Sequence, residues 1–306
     1  MDMNKVSVII TTYNSELYIR DALNSAINQS YENIEILVID NNSTDKTLDI
    51  VNSIMQNYPK LIKLYFEKNQ GANYARNLGV DKATGDYIQF LDSDDILLNN
   101  KLHEQMKVFM SYSLVDVVYS DYEKYNNDFS ALMSLVSFDT PNNILEKTIK
   151  HVISIQNPLY KKSSLLSVNL FDTNLKSAQD WDLNMRLVLN GYNFYYLKGV
   201  YSKIRQVSNS LSSDWVSVTQ NQCRVVFKNK ELIIKSNNYN TNIEFTIKII
   251  HYNTLLYIRD KESFDEIYNY YLFWHSNYKF INNKLKRYIA VLFGIKILIT
   301  LNKIFK

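Results

Sequence analysis

Residues 6–29 read VSVIITTYNSELYIRDALNSAINQ, and the fold turns on how this stretch is parsed. Its first seven residues are β-branched and apolar on both faces, the pattern of a strand buried inside a parallel sheet. From Ser15 the period changes. Leu17, Ile19, Ala22, Leu23, Ala26 and Ile27 recur at roughly helical spacing, with Ser15 placed as a cap. The alternation then repeats. IEILVID (34–40) predicts a second buried strand. NSTDKTLDIVNSIMQNY (42–58) predicts a helix capped near Ser43 with acids in its first turn. LIKLYFE (61–67), GANYARNLGVDKA (71–83) and DYIQFL (86–91) add strand, helix and strand, and LVDVVYS (114–120) adds another strand. Short connections between alternating elements predict an α/β chain: a Rossmann-like, mostly parallel sheet flanked by helices.

Past about residue 125 the rhythm loosens. SAQDWDLNMRLVLNGYNFYYL (177–197) reads as a helix beginning near Asp180, a turn at Gly191 and an aromatic strand. From about residue 217 the pattern is Tyr-rich and helical. The expected organisation is a domain over 1–215 and a helical C-terminal region over 216–306. The chain has 306 residues, 46% of them apolar and 21% charged, ample for a packed core. A single cysteine, Cys223, excludes an internal disulfide framework and fits a reducing compartment. The four histidines are scattered, which excludes a Cys/His zinc site of ordinary spacing. The N-terminus has no signal-peptide layout, so a cytoplasmic protein is expected.

The strand at 86–91 ends in LDSDD, with Asp92, Asp94 and Asp95 inside four residues. Like charges this close repel by roughly 1 kcal/mol per pair in water, and by more where water is scarce. One reading makes them oxygen ligands for Mg2+ or Mn2+, which would also bridge phosphate oxygens. The other makes them caps for a helix starting near Ile96. Polar residues also close the earlier strands, as TTYN and DNNSTD, and KNQGANYARNLG precedes the third helix. Ligands of open α/β sheets gather at this end.

The ordered set VSVIITTYN, EILVIDNNSTDKT, NQGANYARNLG, GDYIQFLDSDD and QDWDLNMRL resembles the large family 2 of inverting, nucleotide-sugar-dependent glycosyltransferases, which have the A-type (GT-A) fold. The resemblance covers roughly residues 5–212. It implies that Thr11 and Tyr13 meet the nucleotide base and ribose, with the Tyr13 ring as a platform; without it, Tyr13 reads equally well as a core aromatic. The family's second strand usually ends in two acids; here Asp40 is followed by Asn41. An Asn carbonyl can still accept the bond from a pyrimidine ring and its NH2 can also donate, so a pyrimidine nucleotide is expected, UDP before dTDP, with the departure weakening the choice between the two. Asp45 is assigned to the helix N-terminus. Arg76 is implied to lie near the pyrophosphate or the acidic motif, and could equally balance Asp92 or Asp94. LDSDD resembles the DXD metal motif, with Asp94 as direct ligand and Asp92 holding metal through water, or the ribose.

QDWDL resembles the family's acidic motif, with Gln179 where a Glu usually stands. Asp180 is then the catalytic general base, taking the acceptor hydroxyl's proton in a single inverting displacement. A neutral Gln179 is expected to lower the pKa of Asp180. Trp181 reads either as an acceptor-site wall or as core. In RQVSNSLS, Val207 stands where the family often has a His, and only a weak role carries over to Arg205. The implied enzyme is a metal-dependent, hexosyltransferase-type enzyme with a nucleotide-sugar donor and a glycan or lipid-linked acceptor, acting in surface polysaccharide synthesis. The alternative is a catalytically weak nucleotide-sugar-binding scaffold of the same fold.

After Glu266 there are seven bases and no acid. Residues 282–306 hold a mostly apolar stretch, Tyr288 to Leu301, too short and too charged to span a bilayer confidently. They suit a basic amphipathic helix on an anionic membrane surface, peripheral on the inner face, or a helix docked on protein. Nothing interleaves bases and aromatics as in a nucleic-acid module.

Overall fold

The computed structural model describes residues 4–139, 143–206, 214–258 and 260–276. The chain divides into two compact units, Met1–Ser213 and Asp214–Lys306. In the first, β1 (Val6–Thr12), α1 (Ile19–Ile27), β2 (Ile34–Asp40), α2 (Thr47–Met55), β3 (Ile62–Phe66), α3 (Ala72–Lys82) and β4 (Tyr87–Asp92) alternate as the periodicity predicts. There follow β5 (Ile96–Leu97), α4 (Lys101–Ser111), β6 (Val117–Tyr125), β7 (Leu132–Val136), α5 (Ile144–Lys150), β8 (Leu159–Lys161), α6 (Lys162–Ser167), α7 (Gln179–Leu189) and β9 (Phe194–Arg205). The strands form one sheet in the order β3-β2-β1-β4-β8-β6-β9-β5, with β7 paired to β6.

Its first half, β3-β2-β1-β4, is parallel. In the second half β8 runs antiparallel to both β4 and β6, while β6 and β9 are parallel. The sheet is therefore an α/β sheet of mixed direction. Every residue of β1 is buried, as its two-faced apolar pattern demands. Val6, Val8 and Ile10 face a core shared with Ile19, Leu23 and Ala26 of α1. Ile9 faces the opposite layer with Leu37, Ala75, Val80 and Leu183.

Two elements differ from expectation. The strand expected over 114–120 begins at Val117 and runs on to Tyr125. Its start is displaced because Val115 N–H closes a turn onto Tyr112 O at 3.1 Å, leaving Leu114 exposed. Its end is longer because β7 and β9 satisfy the backbone of the polar run SDYEKY. No helix starts near Ile96. Ile96 and Leu97 pair instead with Lys203 and Ser202 of β9, and the helix begins at Lys101.

At the amino ends of the strands, buried Glu35 accepts from Ser7 Oγ (2.7 Å), Thr84 N–H (2.7 Å) and Thr84 Oγ1 (2.8 Å), and pairs with Lys5 at 3.1 Å and Lys63 at 3.3 Å. Burial alone would raise its pKa; the hydrogen bonds outweigh it and hold the carboxyl at about 2.

The second unit contains α8 (Trp215–Lys228), α9 (Lys230–Lys235), α10 (Thr241–Tyr257) and α11 (Lys261–Ser276). Asp214 caps α8 through Ser217 N–H at 3.1 Å, and Asn240 caps α10 through Ile243 N–H at 2.9 Å. Cys223, Leu255, Ile258, Ile267 and Tyr271 form its core. Burial pushes the Cys223 thiol up to about 12, so it packs as a small apolar side chain rather than a nucleophile.

Gly79 brings α3 against β1. A methyl group at this position would stand 2.4 Å from Ile9 Cγ2, inside a fully buried layer. In an unconstrained helix Gly→Ala stabilises by up to about 1 kcal/mol. Here Gly79→Ala is expected to destabilise by about 1–3 kcal/mol through overpacking. Urea denaturation decides the sign, and with Ile9→Ala, which removes the clashing Cγ2, the double variant should be less destabilised than the sum of the two single variants.

Candidate active site

Parallel register aligns the carboxyl ends of the strands. Thr11 lies beside Ile39 on one side and Asp92 on the other, and Thr12 lies beside Asp40. The polar strand ends picked out in the sequence are therefore neighbours in space. Arg76, one turn into α3, projects toward them with its side chain 7% exposed. Its Nη2 donates to Asp92 Oδ1 at 2.8 Å and its Nη1 to Gln179 Oε1 at 2.9 Å. The guanidinium stands 5.4 Å from the centre of the Phe171 ring. One buried cation thus joins the end of β4 to the start of α7, which brings Asp92 and Asp180 into one constellation. Of the two roles open for Arg76 in the sequence, the balancing of Asp92 is the one visible here.

The three aspartates have three environments. Asp92 is held by Arg76. Asp94 is partly buried, and among the described residues no other side chain donates to its carboxylate. Burial, then the neighbouring Asp92, pushes Asp94 up to about 6, only partly offset by Arg205 and Arg76. Asp95 is buried, and burial followed by Asp94 and Asp92 raises its pKa as well. Asp95 does not start a helix, contrary to the capping alternative. One of its oxygens accepts from Arg205 N–H at 2.7 Å, and the other accepts from Gln156 Nε2.

Asp180 opens α7. The preceding residue, Ala178, lies in the left-handed region at φ 58, a strain on the order of 1–2 kcal/mol for a residue with a Cβ. Trp181 N–H donates to Asp180 Oδ1 at 2.9 Å. Burial pushes Asp180 up to about 6; Arg76 and Trp181 N–H pull the other way, and Asp92 adds to the rise. This corrects the expectation that a neutral Gln179 would leave Asp180 with a lowered pKa. Gln179 does remove a like charge, but desolvation is the larger effect. A carboxylate with this pKa can accept a proton near neutral pH. Trp181 itself is core, 1% exposed, which settles its two readings against the acceptor wall.

On the nucleotide side, Tyr13 is 51% exposed, so it is a surface ring rather than a core aromatic. The cap expected from Ser43 is not made; Ser43 Oγ accepts from Asn14 N–H at 3.0 Å. Asp45 takes that role through Thr47 N–H at 2.9 Å, and its other oxygen accepts from Glu16 N–H at 3.0 Å. Asp40 accepts from Ser43 N–H at 3.1 Å, while its Oδ1 and the adjacent Thr12 Oγ1 are buried without a partner. Asn41, assigned to the base from sequence, is 4% exposed and turned inward. Its amide donates to Glu67 O (2.9 Å) and Asn69 O (2.7 Å), and its carbonyl accepts from Gly71 N–H at 2.7 Å.

Sequence reading missed Gln156, which has no motif around it, and undervalued Arg205. Val207 and the tail 282–306 lie outside the described residues. Among the described residues no cluster of three or more His, Cys, Asp or Glu is arranged to hold a metal alone. The hard carboxylate oxygens of Asp92 and Asp94 fit a divalent cation that completes its shell with water and phosphate oxygens.

The glycosyl transferase family 2 model matches residues 7–166. An uncharacterised glycosyltransferase of Haemophilus influenzae is 47% identical over 116 residues, 38% of this chain and 46% of its own length. The chain thus spans under half of that relative, and a quarter of a Rickettsia bellii glycosyltransferase 34% identical over 58% of this chain. A putative teichuronic acid biosynthesis glycosyltransferase of Bacillus subtilis, TuaG, is 29% identical over 68% of this chain and 82% of its own. Among solved structures, S. aureus TarS 1–349 with UDP-GlcNAc matches with a TM-score of 0.67 at 21% identity, over 87% of this chain and 80% of that one. The mannosyltransferase PcManGT of Pyrobaculum calidifontis, with GDP-Man and Mn2+, matches with a TM-score of 0.63 at 17% identity, over 98% and 84%. These structures share the GT-A-type fold described above, and with the family match running from the first strand through the LDSDD turn to α6, the chain belongs to glycosyl transferase family 2.

Proposed function

We propose that the chain is an inverting, metal-dependent glycosyltransferase. It would move a hexose from a nucleoside diphosphate, UDP before dTDP, to a hydroxyl of a glycan or lipid-linked glycan during surface polysaccharide synthesis. The observation that carries this reading is the convergence on Arg76 of the DXD carboxylate Asp92 and the segment bearing Asp180. The nucleotide sugars bound by TarS and PcManGT and the biosynthetic role given to TuaG support it.

Tyr13 would offer its exposed ring to the base and, with Thr11, meet the ribose; Asp40 would serve the base side and Asp92 the ribose or the metal, while Asn41, its amide already bonded to the 67–71 backbone, would act on the base by shaping that loop. Asp94, with Asp92, would hold Mg2+ or Mn2+. The bound cation supplies charge neutralisation for the leaving diphosphate. Arg76 fixes Asp92 and, through Gln179, the first turn of α7. Asp180 accepts the acceptor hydroxyl's proton as that oxygen attacks the anomeric carbon. The bond to the diphosphate breaks as the new C–O bond forms, so the anomeric centre inverts and no enzyme nucleophile is required.

Asp180→Asn should lower kcat by roughly 10²- to 10⁴-fold. Asp94→Ala should weaken Mn2+ dependence, measured as UDP release from a panel of UDP- and dTDP-sugars. A chain that neither binds nor turns over any donor with any divalent metal would refute the enzyme reading.

The wild-type rate should fall on the acid side of about pH 6, as Asp180 takes up its proton. The folded pKa lies above the unfolded value, so the folding contribution of Asp180 is full below pH 3.8 and is lost as pH rises through 6. The Asn variant should therefore melt at or above wild type at pH 8, with the gap closing toward pH 4.

The basic tail 282–306 is proposed to hold the protein at an anionic membrane surface on the cytoplasmic side. Among the described residues no helix is long and apolar enough to cross a membrane. Flotation with phosphatidylglycerol vesicles should recover the full chain and lose a chain ending at residue 281. Equal recovery of both removes the tail as anchor.

A further inference from the structure

Arg205 is the last residue of β9, and its side chain is 5% exposed. It makes a reciprocal bracket with the DXD turn. Its backbone N–H donates to Asp95 Oδ1 at 2.7 Å, and its Nε donates to the backbone carbonyl of Asp94 at 2.9 Å. The rest of the guanidinium faces away from that turn. Nη2 pairs with Asp21 of α1 at 3.2 Å, and Nη1 donates to Asn127 O in the β6–β7 loop. The group lies near two aromatic rings, Tyr18 at 4.6 Å and Phe129 at 4.1 Å. Tyr18 Oη also donates to Asn127 Oδ1 at 2.8 Å, so α1's approach and the loop are tied to each other as well.

The loop is built for this contact. Phe129 has φ 60, a left-handed conformation that a bulky residue adopts at a cost. The loop's own hydrogen bonds enforce it: Phe129 N–H to Asn126 O at 3.1 Å, Ala131 N–H to Asn126 Oδ1 at 2.9 Å and Ser130 N–H to Asp128 Oδ1 at 3.0 Å. A strained Phe held against a buried guanidinium by a pre-built loop signals a constraint on the cation's position.

We propose that Arg205 is a positioning residue for the cation-binding turn, clamping Asp94 and Asp95 between α1 and the 126–131 loop so that the Asp94 carboxylate is presented in one orientation. The inference rests on Asp94 being a metal ligand. It assigns Arg205 no contact with substrate. Lysine cannot replace it, because an ammonium lacks the planar fork that answers Asp94 O, Asn127 O and Asp21 together.

Mn2+ binding to the full chain in saturating UDP, read from the free-Mn2+ EPR signal, tests this without turnover. Arg205→Ala should weaken Mn2+ binding roughly 10- to 100-fold, as loss of a ligand-orienting partner does. Arg205→Lys should remain clearly weaker than wild type. Phe129→Leu should lose roughly two- to fivefold. Native circular dichroism marks the variants that count, and if Arg205→Ala does not fold, Phe129→Leu and Arg205→Lys decide. Wild-type Mn2+ affinity in folded variants overturns the positioning role and leaves the metal reading intact. Wild-type protein that binds no Mn2+ with UDP overturns the metal reading itself.

Discussion

Three carboxylates within four residues, one buried and two partly so, repel one another unless positive charge lies close by, and the first unit of this molecule is arranged around that constraint. Two arginines answer it from different elements. Arg76 comes from α3 and its guanidinium takes the Asp92 carboxylate; Arg205 comes from β9, gives its backbone N–H to Asp95 and its Nε to the Asp94 backbone carbonyl, and lends its charge from nearby. Neither pairing closes on itself. Arg76 continues to Gln179, and Arg205 continues to Asp21 and Asn127. A buried cation with spare donors is costly unless each donor finds an acceptor. Arg76 Nε is left buried without a partner, and the donors that are satisfied tie α7, α1 and the β6–β7 loop to the turn.

The same residue class behaves oppositely at the two ends of the sheet. Glu35, at the amino ends, is buried, yet its hydrogen bonds hold it at about 2. Asp94 and Asp180, at the carboxyl ends, are pushed up to about 6. Desolvation acts on all three; what differs is the number of donors turned toward them. Glu35 joins β1, β2 and the start of β4 and is satisfied for stability. Asp94 and Asp180 are left short of donors, the condition that suits groups meant to meet a cation or a proton from outside the protein.

The parallel half of the sheet was legible because its information is local. A strand buried on both faces must be apolar at every position, and a helix covering it must be apolar every three to four residues, so β1 to β4 and α1 to α3 can be read from spacing. The strand-end acids could be read for a related reason, since parallel register forces them to one edge. The second half was less legible because its order depends on long-range pairing. Ile96 and Leu97 look like the start of a helix until β9, more than a hundred residues later, takes them as a strand. Asp95 looked like a cap because its real partners, Arg205 N–H and Gln156, have no sequence signature. The pKa of Asp180 was misjudged for a further reason: a missing like charge is visible in the sequence, whereas desolvation is a property of the fold.

Asn41 shows how a departure from a family pattern can be built into the structure around it. An aspartate there could accept from Gly71 N–H, as the Asn carbonyl does, but it could not donate to Glu67 O and Asn69 O. A carboxylate facing two carbonyl oxygens at under 3 Å would be repelled, and the 67–71 segment would have to open. That segment leads into Gly71, whose φ of 138 starts the helix that carries Arg76. The amide is thus tied, through three backbone groups, to the placement of the arginine that organises the site. The physical demand on position 41 comes first from the loop, and a nucleotide base must be read by what the loop then leaves exposed.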